Sequence, residues 1–270
     1  MSVRSLAPIE HSEPFINGII ERRAEAGWEG LNAADIIGEL ALYRQIADSR
    51  GLATNLLVIA GGAASGKSTL AASMSAELAA RGTSSAIISS DDFVRWDRAK
   101  RHRLERIGLL PPDAKYDFFS LRQAIGAVCA NQHPSLLVGL PQYDSHTGLA
   151  ASGSKRQFIP AVNTLIVEGD MLGEQGKTPQ DLYASSAYRP RTVYIHVPDE
   201  ERLKRRVARD ITERNAQGAV RQDIVDSFEH RQKSQHIPYT LTYAETADAI
   251  VRPMPDNPGL YEMYTMASAS

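Results

Sequence analysis

The chain is poor in cysteine and in long apolar runs, and it carries no surplus of either charge. Its single cysteine, Cys129, excludes an internal disulfide and a cysteine-based zinc site. That thiol falls in the amphipathic stretch SLRQAIGAVCANQ, where it is expected to pack as a small apolar group. No apolar run approaches the roughly 18 residues of a bilayer-crossing helix. Glu10, Glu13, Glu21 and Glu25 stand where a signal peptide would have its apolar core. Both absences lead to the expectation of a cytoplasmic protein that does not engage a membrane. Thirty basic against 32 acidic residues leave a formal charge of −2. No global positive field is therefore available for a nucleic acid backbone or an anionic bilayer. The basic run from Arg98 to Arg106 is short and broken by Glu105, which argues against a nucleic-acid site. What remains is ordinary for a globular chain: 270 residues, 43% hydrophobic and 23% charged, enough for one large or two small domains.

The stretch from Leu56 to Leu70, LLVIAGGAASGKSTL, organises the rest. An apolar run, a glycine-rich turn and a small-residue helix follow one another, and Gly61 with Gly66-Lys67-Ser68 fits the G-x-x-x-x-G-K-[ST] phosphate-loop spacing. Gly61, Gly62 and Gly66 allow the backbone to turn its N–H groups around phosphate oxygens, with Ala63, Ala64 and Ser65 between them. The helix that starts at Lys67 directs its positive end at the same anion. Lys67 can reach the terminal phosphates, Ser68 can take one position on a Mg²⁺ ion, and Thr69 continues the helix beside them. ATP and Mg²⁺ are the cofactors this predicts.

Further strands are expected at Ala86–Ile88, Thr164–Val167, Thr192–Val197 and Ala249–Val251, with helices between them. This alternation predicts an α/β fold of the P-loop NTPase type, doubly wound around a mostly parallel sheet. A hairpin around Leu136–Leu140 and Arg156–Ile159 and an arginine-rich helical lid from Glu200 are the expected additions. Residues 1–54 read as an N-terminal helical extension and 55–270 as the phosphate-loop domain, with homo-oligomer contact a lesser role for the extension. The phosphate loop, Asp91/Asp92 and Glu168 each follow a predicted strand, so they should meet at the carboxyl edge of the sheet. Asp91 is the preferred general base, with contact to Mg²⁺, and Asp92 its competitor; Glu168 is a metal ligand. Arg205, Arg206 and Arg209 share a helical band suited to clamping phosphates, and Arg214 extends it. Tyr143 and His146 on one turn suit recognition of a sugar or ring.

The elements GGAASGKST, SDDF, PDAKYDF, PQYDSH, VEGD and RLKRRVARDITER, in this order, resemble the uridine kinase and phosphoribulokinase type of P-loop kinases over about Leu56–Val251. The resemblance implies transfer of the ATP γ-phosphate to a hydroxyl of a small molecule. It implies Asp91 as base and Ser68 and Glu168 as metal partners. Arg206, Arg209 and Arg214 become lid residues at the phosphates, and Asp117, Tyr143 and His146 acceptor contacts. Lys67 and Arg209 join Asp91 in the catalytic set. The chain departs from uridine kinases at Pro111, in the spacing of PDAKYD, in a shorter PQYDSH turn, and at Asp170, which replaces an apolar residue and suits a more polar acceptor. A uridine- or cytidine-like nucleoside is the first expectation. A sugar, sugar phosphate, glycerate or pantothenate-like alcohol is the second. Rival readings are a P-loop ATPase switch acting on a protein partner and a kinase of a nucleotide sugar.

Overall fold

The computed structural model describes residues 12–23, 27–40, 47–48, 51–52, 54–130, 137–144, 155–173, 177–183, 190–212 and 221–265. In chain order these give α1 (Ser12–Arg23), β1 (Gly27–Leu31), α2 (Ala33–Glu39), β2 (Ala47–Asp48), β3 (Gly51–Leu52), β4 (Asn55–Gly61), α3 (Lys67–Ala80) and β5 (Ser85–Ser89). Then follow α4 (Arg98–Arg106), α5 (Phe118–Ala130), β6 (Val138–Gln142), β7 (Lys155–Ile159), β8 (Thr164–Gly169), α6 (Pro179–Tyr183) and β9 (Pro190–Ile195). The chain closes with α7 (Asp199–Thr212), α8 (Arg221–Arg231), α9 (Tyr243–Thr246), β10 (Ala249–Pro253) and β11 (Tyr261–Thr265).

Seven strands form the main sheet in the order β1-β11-β10-β9-β4-β8-β5. The five from β10 to β5 are parallel neighbours. β11 and β1 add an antiparallel edge. β4 is buried along almost its whole length, so its apolar run serves two cores at period two. Leu56, Val58 and Ala60 enter one core with Ile16 and Ile19 of α1 and Leu121, Ile125 and Val128 of α5. Leu57 and Ile59 enter the other with Ile36 and Ile37 of α2 and Leu70, Met74 and Leu78 of α3. Each such side chain stabilises the fold by about 1.5–3 kcal/mol relative to exposure. Cys129 is buried in the first core, and burial pushes its thiol up to about 12, so it packs as an inert apolar group.

The doubly wound, mostly parallel sheet expected from the sequence is present. So are the hairpin, β6 paired antiparallel with β7, and the arginine-rich helix α7. The segment ahead of the phosphate loop contains more than helices: β1 pairs with β11, and α1 and α2 supply side chains to both cores. β1 escapes the pattern because its residues, GWEGL, lie at an exposed edge with no apolar face. α8 runs into a π-helical stretch, Gln232–Thr240, that contains Pro238. The missing N–H and the ring clash of a proline loosen the ordinary i→i−4 ladder at such a place.

Candidate active site

Between β4 and α3 the phosphate loop is built from backbone that few residues can adopt. Gly66, the residue before α3, has φ 97° and ψ 17°, and Ala64 has φ 62°. The left-handed conformation costs a side-chain-bearing residue about 1–2 kcal/mol, and such outliers concentrate at binding sites. Ala63, Ala64, Gly66, Lys67, Ser68 and Thr69 face a cavity of about 820 Å³. Gly61, Gly62 and Ser65 lie behind this lining. Ile195 crowds Gly61, and a Cβ on Gly62 would lie 2.1 Å from Arg202 Nη1. Arg202, 2% exposed, donates to the carbonyls of Val197 and Ala63 and to Asp199 and Gln232. The first turn of α7 thus props the phosphate loop from beneath.

Opposite the loop stand three carboxylates. Lys67 Nζ donates to Asp170 Oδ1 at 2.5 Å and to the Gly62 carbonyl at 2.9 Å. Burial would raise the Asp170 carboxyl, but Lys67 outweighs it and holds the group below the usual range. Glu168, at the end of β8 and 7% exposed, is pushed up by burial against the opposing charge of Lys67. Asp91 follows β5 on a 3₁₀ turn, Ser90–Phe93, and opens onto the cavity. Enclosure by protein raises its carboxyl, and the charge of Asp170 adds to the effect. The Tyr116 hydroxyl reaches Asp91 at 3.5 Å.

Asp91 and Asp92, adjacent in sequence, part company on this turn. Asp92 accepts from the backbone N–H of Tyr143 at 2.9 Å and of Ser89 at 3.2 Å, tying β5 to the hairpin. Asp117 is likewise engaged locally: its carboxylate accepts from Ser120 N and Oγ at the start of α5 and pairs with Arg95 at 3.9 Å. It is absent from the cavity lining, where acceptor contact would require it.

α7 places Arg205, Arg206 and Arg209 on the cavity wall. Arg205 pairs with Glu201, and Arg209 lies 3.4 Å from Asp210. Arg206 is 6% exposed; its Nη2 donates to Ser227 Oγ at 3.3 Å and its Nε approaches Asp210 at 3.4 Å, yet Nε and Nη1 have no hydrogen-bond partner among the described residues. Burial, with Arg231 nearby, lowers its guanidinium to about 10. His146 and Arg214 lie outside the described residues. Tyr143 reaches the cavity and accepts a 2.8 Å hydrogen bond from Arg101 Nη2.

The far wall carries residues that the sequence reading set aside or passed over: Arg98, Arg101, Glu105, Lys115, Tyr116 and Arg231. Arg98 and Arg101 share one face of α4 by their spacing of three, which was the available signal. Asp97 caps that helix by accepting from Lys100 N at 2.8 Å. Arg231 sits at the end of α8 with no local pattern to mark it.

The residues present fit a nucleotide and its metal. The unpartnered Arg206 Nε and Nη1 at the lid are buried polar groups of the kind a phosphate satisfies. Among the described residues no group of three or more His, Cys, Asp or Glu side chains is poised to hold a metal. Mg²⁺ does not need one, because it takes one or two protein oxygens with water and phosphate completing the shell. Ser68 and Glu168, with Asp91 nearby, supply such oxygens.

A parallel α/β sheet with a phosphate loop, an arginine-bearing lid helix and carboxylates on one cavity defines a P-loop kinase architecture. The profile of the Phosphoribulokinase / Uridine kinase family matches residues 56–258, and the chain belongs to that family. Three solved structures share the fold. A proposed fructose transport system kinase from Silicibacter sp. TM1040 is 23% identical, with 81% of this chain and 96% of that one covered at a TM-score of 0.57. D-glycerate 3-kinase from Cryptococcus neoformans is 14% identical, with 82% and 93% covered at 0.61. Phosphoribulokinase from Rhodobacter spheroides is 14% identical, with 74% and 70% covered at 0.51. No curated protein matches the chain in sequence. Among the described residues no helix is long and apolar enough to cross a membrane.

Proposed function

We propose that this kinase transfers the γ-phosphate of Mg-ATP to a hydroxyl of a small acceptor, with Asp91 as general base. The observation that carries the reading is the convergence of the phosphate loop, Asp91, Glu168 and the α7 arginines on one cavity. In this reading Lys67 exchanges Asp170 for the terminal phosphates, and Ser68 and Glu168 hold the metal. The ion, when bound, offsets charge on the phosphate oxygens. Asp91 takes the proton of the acceptor hydroxyl as that oxygen bonds to phosphorus and the β-phosphate leaves. Its raised carboxyl makes it a stronger base than an aspartate at the ordinary value. Arg206 and Arg209, with Arg214, balance charge on the transferring group.

A uridine- or cytidine-like nucleoside is the acceptor the resemblance favours, while a sugar, sugar phosphate, glycerate or pantothenate-like alcohol meets the same chemistry. The test is incubation of the full chain with Mg-ATP and each acceptor class, products being detected by mass, with Asp91→Asn as control. A phosphorylated product that disappears in the variant supports the reading. ATP hydrolysis at one rate with and without every acceptor would instead favour an ATPase switch.

A further inference from the structure

Around the proposed base the cavity holds more positive charge than a neutral acceptor can use. Lys115 and Glu105 pair with one another and cancel. Arg101 is held from one side only: its Nη2 donates to Tyr143 Oη at 2.8 Å, and its guanidinium lies 5.5 Å from the centroid of the Tyr143 ring. Its Nε is buried without a hydrogen-bond partner. Arg231, from the end of α8, lines the same cavity. Arg101 and Arg231 line the cavity together with Asp91, Tyr116 and Lys115, and the charge of Arg231 also bears on Asp170 and Arg206. Neither Arg101 nor Arg231 forms an ion pair with a carboxylate among the described residues. Asp91 and Asp170 are the carboxylates that share this space with the two guanidiniums, and Asp170 is held by Lys67.

We infer that Arg101 and Arg231 form an anion subsite beside Asp91, so that the acceptor is a hydroxyl compound bearing a phosphate or carboxylate, not a neutral nucleoside. The inference rests on the kinase reading and narrows its acceptor. A guanidinium is planar and presents paired N–H donors that match both oxyanions. Tyr143 holds Arg101 through Nη2, and Nε is left without a partner. The anion anchors one end of the acceptor while the hydroxyl at the other end meets Asp91. A neutral nucleoside would offer no charged acceptor to the unpartnered Nε of Arg101.

The test compares matched acceptors, a pentose against its 5-phosphate and glycerol against glycerate, with Mg-ATP and the full chain. The charged member should exceed its neutral twin in kcat/KM by about 10- to 100-fold, the worth of one or two charge-assisted hydrogen bonds. The phosphate and carboxylate arms say which oxyanion is used. Arg101→Gln and Arg231→Gln should each raise KM for the charged acceptor by about tenfold or more, and Arg101→Lys should fall between wild type and Gln. Calorimetric binding of the same acceptors in the presence of a non-hydrolysable ATP analogue separates the two readings. Binding of an anionic acceptor that is lost in Arg101→Gln, without transfer to any acceptor, would keep the subsite and sink the kinase reading. Transfer to uncharged acceptors as fast as to charged ones, failure of either anion to bind, or an unchanged KM in both Gln variants would overturn the subsite.

Discussion

Lys67 and Asp170 form an ion pair of 2.5 Å across the mouth of the phosphate loop, with the Gly62 carbonyl as a second acceptor for the same ammonium. Lys67 is 7% exposed and Asp170 36%, so the lysine is the buried partner and the aspartate faces the cavity. A phosphate entering the loop must compete with this carboxylate. Asp170→Asn is therefore expected to tighten Mg-ATP binding by about 3- to 10-fold, the range of one partly exposed charge interaction. Calorimetry on the full chain checks this. A weaker Mg-ATP complex in the variant would mean that Asp170 assists the nucleotide and does not compete with it.

The same pair predicts how stability responds to acid. The folded Asp170 carboxyl lies below its unfolded value, so its contribution is present above the ordinary aspartate value near 3.8 and is lost as pH falls through the folded one. Glu168 has the opposite sign. Burial raises it, so it disfavours the fold while ionised and is relieved as pH falls through its folded value. Acid titration of Asp170→Asn in denaturant should lack the lowest-pH loss seen in the wild type. An unchanged acid limb would remove Asp170 from the account.

For catalysis, the raised Asp91 carboxyl sets the acid limb of turnover. A base must be ionised, so activity should fall as pH drops through a value above 3.8. Asp91→Asn should lower kcat by about 10²- to 10⁴-fold and abolish that limb. Asp92→Asn should act on stability, because Asp92 ties the amides of Ser89 and Tyr143 together. A larger kcat loss in Asp92→Asn than in Asp91→Asn would reverse the assignment.

The phosphate loop was legible in the sequence because its chemistry is local: six intervening or flanking residues set the backbone, and Lys67 and Ser68 follow at once. The carboxyl edge was legible through Asp91 and Glu168, each placed by the end of a buried strand. The choice between Asp91 and Asp92 was not, since one turn of 3₁₀ helix decides which carboxylate meets amides and which meets the cavity. Asp117 misled because a cap and a ligand look alike in sequence, and the neighbouring Ser120 takes both its oxygens. Arg101 was read by the company it keeps in the chain, a charged run. Its role depends on Tyr143 and Arg231, which the fold brings from 42 and 130 residues away. β11 hid for another reason: Tyr261 and Met263 face the core, but Glu262 and Tyr264 between them dilute a five-residue run.

Gly62 tests the support beneath the loop. A methyl there would sit 2.1 Å from Arg202 Nη1 and 2.9 Å from His236 Cε1, both buried. Arg202 cannot move aside without breaking its bonds to Ala63, Asp199 and Gln232. Gly62→Ala should cost about 2–4 kcal/mol, combining overpacking with at least one strained charged hydrogen bond. Denaturant midpoints measure the loss, and a variant as stable as wild type would show that the brace yields freely.

Arg206 offers a sharper separation of stability from function. Its guanidinium is 6% exposed, with Nε and Nη1 unpartnered, Asp210 only at 3.4 Å, and burial lowering it to about 10. Such a charge is costly to bury, and removing it in favour of an apolar side chain of similar length is often neutral or stabilising by about 1–4 kcal/mol. Arg206→Met should therefore leave the unliganded protein as stable as wild type or raise its denaturant midpoint. Nucleotide reverses the sign, because phosphate oxygens would satisfy the orphaned donors and the charge. Saturating Mg-ATP stabilises a protein by RT ln(1 + [L]/Kd), so a weaker complex appears as a smaller ligand-induced shift. Arg206→Met should lose most of that shift and about 10- to 100-fold in kcat/KM for ATP. If the variant is destabilised without nucleotide and stabilised by it as strongly as wild type, Arg206 is a structural link to Asp210 and Ser227, and the phosphate clamp must be sought in Arg205 or Arg209.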